Sequence, residues 1–111
     1  MTQTVTGDMV KAGTDERLPE GLTAYKRTPV FDQEGLPAAL RQTHRTKPGV
    51  WGLIHVLEGR LAYTTLDPHA EHILGPDLPG VVQPEQPHLV QPLGPVRFFV
   101  EFYRSEADEQ A

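Results

Sequence analysis

The sequence predicts an all-β domain, a sandwich or barrel of roughly eight short strands. Three observations favour this class. Apolar runs of strand length recur between residues 22 and 104, with turn residues about every 7 to 12 positions. The chain has 11 prolines and 10 glycines in 111 residues, and proline interrupts helix interiors. A parallel α/β sheet would also need helical segments of about 10–15 residues between the strands, and the sequence shows none.

The strands are predicted from alternating apolar residues and from the turns that separate them. The strongest strand covers residues 50–58, and Glu58-Gly59 indicates a hairpin turn into a partner strand at residues 60–66. Asp67-Pro68 ends that partner. The stretch 35–40 fits either a turn of helix or an irregular strand. The remaining predicted strands are residues 22–27, 29–32, 70–74, 80–83, 87–91 and 96–104, with turns at 75–80, 84–86 and 94–95.

Composition and charge exclude several classes of function. The formal net charge is −5, and an acidic surface repels phosphate backbones, so we expect no nucleic-acid partner. The chain has no cysteine, hence no disulfide and no thiolate chemistry. No apolar run approaches the ~20 residues that span a bilayer, so we expect no membrane partner and a soluble, cytoplasmic protein. Residues 18–104 are predicted to form the domain, with flexible tails at residues 1–17 and 105–111.

Two stretches resemble the paired motifs of the cupins. VWGLIHVLEGRLAY, residues 50–63, resembles the first motif, and QPEQPHLV, residues 83–90, resembles the second, in which a proline turn precedes a histidine. More closely, residues 43–66 and 81–104 resemble a small bacterial cupin-like family that includes the amino-terminal domain of the tellurite-resistance protein TehB and the YeaR protein. This resemblance implies a single double-stranded β-helix, or jelly-roll barrel, over residues 18–104.

The resemblance also implies where metal ligands would lie. His44 matches the first histidine of motif one, and His88 matches the histidine of motif two. The second histidine of motif one falls at Thr46 and the motif carboxylate at Gly52, so two of the ligands that cupins use are missing. Imidazole and carboxylate ligands suit divalent zinc, iron, nickel or manganese, and such an ion is the cofactor that the resemblance implies.

Glu101 is the candidate for the missing carboxylate, because a charge in so apolar a strand needs a partner if it is buried. It would be a third metal ligand or would orient a ligand histidine. The alternative is an exposed Glu101 with Arg97 as its neighbour. Glu85, in the turn before His88, is a further candidate ligand.

The other three histidines have simpler interpretations. Strand alternation places His55 on the opposite face from Gly52 and Ile54, together with Trp51 and Leu53, as an outer-face or dimer-contact residue. His69 is predicted to be solvated in a turn. His72 lies in a weak strand and is a minor candidate for the site.

Three functions follow as expectations. In the first, His44, His88 and Glu101 bind a divalent metal, a small molecule or an anion inside the barrel, and the family resemblance implies a link to tellurite, oxyanion or nitrosative stress. The second is a non-catalytic interaction module that forms a homodimer over an edge strand. The third is a metal-dependent enzyme of cupin type, such as an isomerase or a dioxygenase.

Overall fold

A computed structural model describes residues 18–105 and shows an antiparallel β structure, so the all-β prediction is confirmed. Within this part of the chain one 3₁₀ helix, Ala38–Arg41, accompanies the strands. The strands are β1 Leu22–Arg27, β2 Phe31–Asp32, β3 Trp51–Thr65, β4 Ala70–Leu74, β5 Gly80–Val82 and β6 His88–Ser105.

The long strands β3 and β6 pair with each other over most of their length. The register runs from Trp51 opposite Tyr103 to Thr65 opposite His88. Along β3 the side chains alternate between buried and partly exposed positions on either side of residue 58, as expected when one face of a strand covers the core. β3 and β6 therefore form a two-stranded ladder to which the shorter strands attach.

The predicted hairpin at Glu58-Gly59 is wrong, because β3 continues through these residues. The pairing with β6 shifts between Val56 and Glu58 and again between Gly59 and Leu61. The predicted turn at Gly94-Pro95 is wrong in the same way, since β6 also continues through it. A glycine beside a charged residue favours a sharp bend within a paired strand as well as a chain reversal, and the sequence alone does not distinguish the two.

The bend folds the sheet over its own core. β5 pairs with the first half of β3 and β4 pairs with the second half. Ile54 and Val56 before the bend belong to the same core cluster as Leu61 and Tyr63 after it. The Tyr63 hydroxyl also donates a hydrogen bond of 2.9 Å to the carbonyl oxygen of Val81, which ties the two layers together.

The strand order is β1-β6-β3-β4, with β2 added to β6 and β5 added to β3. Within residues 18–105 this hydrogen-bonded path does not close on itself. The predicted barrel is therefore an open sheet that is strongly bent.

The short elements follow the sequence closely. β1 and β4 have the predicted bounds, and the stretch 35–40 contributes to the 3₁₀ helix. The predicted tails, 1–17 and 105–111, lie outside the described residues except for Ser105, which ends β6. No helix in the described range is long and apolar enough to cross a membrane.

The bend gives a testable prediction at Gly59, which has a φ of 81°. A Cβ here would overlap the carbonyl oxygen of Pro95 and would lie 3.0 Å from Val96 Cα. We expect Gly59→Ala to lower the free energy of unfolding by about 3 kcal/mol, because backbone strain and overlap add. Urea unfolding measures this change.

The matched control is Gly94→Ala in β6. Gly94 has a φ of 98°, and a Cβ there would meet nothing within 4 Å. In this variant the free energy of unfolding should fall by about 1 kcal/mol, from backbone strain alone. Equal losses in the two variants would show that β3 and β6 do not approach closely at Gly59.

Candidate functional site

The structure brings His44 and His88 together. The backbone N–H of each residue donates a hydrogen bond of 2.9 Å to the carbonyl oxygen of the other. Their ring centroids are 4.2 Å apart, with 57° between the ring planes. His88 begins β6 and is also paired with Thr65 at the end of β3, so the β3–β6 ladder fixes the position of the histidine pair.

Both imidazoles are held in the same way. Nδ1 of His44 lies 3.0 Å from the carbonyl oxygen of Gln42, and Nδ1 of His88 lies 2.9 Å from that of Gln86. A carbonyl oxygen only accepts hydrogen bonds, so each Nδ1 carries a proton and donates it. In a neutral ring this leaves Nε2 unprotonated, with a lone pair for a ligand.

The His88 ring stays neutral near pH 7. The pKa of His88 is lowered from 6.5 to about 4. Burial is the main cause, the hydrogen bond to the Gln86 carbonyl opposes it, and a charge on His44 adds to the lowering. The edge of the ring also packs on Tyr63, at a centroid distance of 5.8 Å. His88 is therefore a buried acceptor at its Nε2 and not a cation.

A cavity of about 600 Å³ opens beside the histidine pair. Its deep wall is apolar and comes from the inward faces of β3, β5 and β6. Gly52 also lines the cavity, and a Cβ at that position would lie 3.2 Å from Val82 Cβ, so a larger residue there would crowd β5. The buried side chains on the deep wall are Ile54, Val82, His88, Val90 and Phe98.

The rim of the cavity is cationic. Lys26 from β1, Arg104 from β6, and Arg45 and Lys47 from the segment after His44 line it, and all except Arg104 are exposed. None of the described residues that line the cavity is an aspartate or a glutamate, although the whole chain has a net charge of −5. The cavity therefore concentrates positive charge on an acidic protein.

Local irregularities place these cations. The pairing of β1 with β6 shifts between Ala24 and Lys26, and this bulge lets Tyr25 and Lys26 line the cavity side by side. The Arg104 guanidinium carbon lies 4.1 Å from the centroid of the Tyr25 ring, an arrangement that stabilises a cation over an aromatic face.

Thr46 has a structural contact. Its hydroxyl donates to the Val50 carbonyl oxygen over 2.8 Å and accepts from the backbone N–H of Glu85 over 3.2 Å. It thereby fastens the loop that carries Arg45 and Lys47 to the turn before His88.

Glu101 lies away from the histidine pair. It is on the outer face of β6 and does not line the cavity. Its carboxylate accepts a hydrogen bond of 2.9 Å from the Tyr103 hydroxyl and lies 3.4 Å from His55 Nε2 and 3.7 Å from Arg27. The partial burial of Tyr103 and this hydrogen bond raise the pKa of its phenol.

The alternative environment predicted for Glu101 is also wrong. Its side chain is only 20% exposed, and Arg97 pairs instead with Glu58, at 3.1 Å. The prediction for His55 is confirmed, because it occupies the outer face and stacks on Phe99 at a centroid distance of 4.7 Å. Strand parity separates Glu101 and His55 from the cavity.

The remaining candidate ligands do not reach the histidine pair. His72 and Glu85 are absent from the cavity wall. His69, which was not a candidate ligand, is exposed, as predicted. In the described part of the chain no three histidine, aspartate or glutamate side chains are grouped so that they could hold a metal ion. The structure thus assembles two of the three predicted ligands.

Sequence reasoning missed the cationic rim. Arg45 and Lys47 stand beside His44 in the sequence, and this spacing was a usable signal. Lys26 and Arg104 gave no such signal, because they meet only through the pairing of β1 with the end of β6.

The TehB-like domain family is matched over residues 26–100. Together with the bent antiparallel sheet, this match shows that the chain belongs to the TehB-like family. The match defines the class of the domain and does not identify a ligand for the cavity.

The relatives are longer than this chain. The TehB of Haemophilus influenzae strain Rd, described as a probable S-adenosyl-L-methionine-dependent methyltransferase, is 40% identical over 60 residues, which are 50% of this chain and 21% of the relative. The TehB of strain 10810 is 38% identical over the same shares. The chain thus spans about a fifth of these relatives.

Two crystal structures have the same fold. TehB from Haemophilus influenzae has a TM-score of 0.75 at 33% identity, over 80% of this chain and 33% of the other. A protein of Escherichia coli strain K12 has a TM-score of 0.74 at 21% identity, over 81% of this chain and 97% of the other. The second comparison shows the fold alone.

The buried histidine gives a pH-dependence prediction. The unfolded chain takes up a proton at His88 near pH 6.5, and the folded chain only near pH 4, so lower pH favours unfolding. Above about pH 6.5 His88 is neutral in both the folded and the unfolded chain, so its protonation no longer favours unfolding. We expect about 3 kcal/mol of unfolding free energy to be lost between about pH 6.5 and 4.

Urea unfolding at several pH values measures this loss. His88→Gln should remove this part of the pH dependence, while His69→Gln, at an exposed position, should retain it. If the unfolding free energy of His88→Gln changed with pH as steeply as that of the unsubstituted protein, His88 would not be the buried neutral group responsible.

Proposed function

We propose that this TehB-like domain binds a small anion in the cavity beside His44 and His88. The observation that carries the proposal is the charge distribution: among the described residues 18–105, four cationic side chains line the cavity and no carboxylate does. In a chain with a net charge of −5, this local excess of positive charge favours an anionic ligand.

The arrangement supports binding more directly than catalysis. A concave, largely apolar cavity with a few polar groups at one end is typical of small-molecule sites. Its volume of about 600 Å³ lies within the range of such sites.

A divalent metal fits this cavity poorly as a resident cofactor. The two Nε2 lone pairs are suitable ligands, but Glu101 is on the other face of β6 and the rim repels a cation. Zinc, iron, nickel or manganese would have only His44 and His88 from the described wall. The metal prediction therefore remains a prediction, which elemental analysis of the purified protein tests.

The family resemblance gives the anion a context. The TehB relatives are described as probable methyltransferases, and a domain that collects anions would supply or sense small ligands beside such an activity. The resemblance by itself names an oxyanion such as tellurite, or an anion produced by nitrosative stress, among the anions to be tested.

Titration calorimetry with carboxylates and inorganic oxyanions tests anion binding. The double variant Lys26→Gln/Lys47→Gln should bind about 3- to 30-fold more weakly, because each exposed charge contributes roughly 0.3–1 kcal/mol. Affinity should also fall as salt is added.

The matched control is Arg60→Gln/Arg97→Gln, which removes the same charge from exposed positions away from the cavity. It should leave the affinity within about twofold. Equal weakening in both double variants would assign the effect to net charge and overturn the cavity as the site. Stoichiometric zinc, iron, nickel or manganese that is lost in His44→Ala would favour the metal site instead.

A second candidate, homodimerisation, is favoured by the outer face of β3 and β6. Trp51, Leu53 and Phe99 are partly exposed there, and Leu57 is 42% exposed. Arg27 and Glu101 give the same face both signs of charge, which suits a self-complementary interface with a second copy of the chain.

Sedimentation velocity over a range of protein concentrations tests the homodimer. We expect a dimer that Leu53→Asp dissociates by burying a charge in the interface. Leu93→Asp, at another exposed apolar position, should leave it intact. A protein that stays monomeric up to about 1 mM would overturn this candidate. A dimer that escaped detection there would have a binding free energy weaker than about 4 kcal/mol.

A further inference from the structure

We propose that the ligand is an amphipathic organic anion, with its charged group at the cationic rim and its apolar body on the deep wall of the cavity. This inference rests on the proposed anion binding and narrows it to a chemical class. A carboxylate on an aliphatic chain or on a ring fits this description.

The deep wall supplies the first argument. Ile54 and Val90 are 2% and 4% exposed, and Phe98 is fully buried, yet all three border the cavity. These side chains come from the core itself, so the bottom of the cavity is an extension of the hydrophobic core. An apolar ligand group placed there is removed from water as a core side chain is.

The rim supplies the second argument. The exposed cations Lys26, Arg45 and Lys47 belong to β1 and to the loop after His44, while the deep wall has no formal charge at neutral pH. A ligand that satisfies both ends must carry its charge at one end only. An anion on an apolar body meets this requirement.

The histidine pair supplies the third argument. The Nδ1 atoms of His44 and His88 are held by backbone carbonyl oxygens, so neutral rings present lone pairs at Nε2. A lone pair repels an anionic oxygen, which favours the carboxylate at the rim rather than beside His88. A hydroxyl or N–H group on the ligand body would find an acceptor there.

Inorganic oxyanions match the cavity less well. They are strongly hydrated, and contact with an apolar wall would remove water without replacing its hydrogen bonds. An inorganic oxyanion would also leave most of the cavity of about 600 Å³ unfilled. The rim alone would then hold them, weakly and with strong sensitivity to salt.

The test is titration calorimetry on the unsubstituted protein with ethanoate, butanoate, hexanoate and octanoate. Affinity should rise by about fourfold per buried methylene, the equivalent of about 0.8 kcal/mol. Sulfate should bind no more tightly than ethanoate. Pentylammonium and 1-pentanol, which have the alkyl chain of hexanoate without the negative charge, should bind at least about tenfold more weakly than hexanoate.

A matched pair of variants locates the apolar end. Val90 and Val96 are both buried in β6, but only Val90 lines the cavity. Val90→Thr should weaken hexanoate about threefold or more and leave ethanoate unchanged, because a hydroxyl then faces the ligand chain. Val96→Thr should leave both affinities unchanged, which controls for the loss of core packing.

These experiments distinguish a failure of the amphipathic ligand from a failure of anion binding itself. If ethanoate, sulfate and octanoate bind equally and Lys26→Gln/Lys47→Gln weakens all of them, the anion site stands and the amphipathic ligand is wrong. If no anion shows binding that depends on those lysines, the proposed function itself fails. Equal effects of Val90→Thr and Val96→Thr on hexanoate would also overturn the inference.

Discussion

The ladder between β3 and β6 is the constraint on which the rest of the structure depends. One end of it pairs Thr65 with His88, and the other end pairs Trp51 with Tyr103. Both strands continue through the bend near Gly59, so the same pair of strands contributes to both layers of the folded sheet. The core, the cavity and the histidine pair all take their positions from this ladder.

The two faces of the ladder carry different chemistry. The inner face supplies Ile54 and Val90 to the cavity, with Arg104 as its cation at the rim, while the outer face holds Glu101 with Tyr103 and Arg27. Because neighbouring residues in a strand point to opposite faces, a carboxylate at position 101 cannot share a cavity with residues at positions 100 and 102. The same alternation that builds the core therefore separates Glu101 from the two histidines.

Much of the fold could be predicted from the sequence, because apolar alternation and turn residues are local signals. β1 and β4 were predicted with their bounds, and the outward position of His55 followed from alternation. The proximity of His44 and His88 followed from the family resemblance, and the structure shows it directly. The continuity of β3 through Gly59 could not be predicted, since a bend and a hairpin use the same residues.

The cationic rim could not be predicted from local sequence patterns. Lys26 and Arg104 are on strands from opposite ends of the described chain, and a bulge at Tyr25 turns Lys26 toward the cavity. Neither the pairing nor the bulge has a signal in the residues near Lys26. The proposed anionic ligand therefore rests on the folded structure, whereas the sequence left a divalent metal, a small molecule and an anion open.

The proposed ligand cavity is formed by the inner face of the ladder. Nuclear Overhauser effects between bound hexanoate and the methyl groups of the protein test it most directly. We expect contacts from the hexanoate chain to Ile54, Val82 and Val90, with none to Leu53, the neighbour of Ile54 on the opposite face. Contacts to Leu53 or Leu57 in place of Ile54 and Val90 would contradict it.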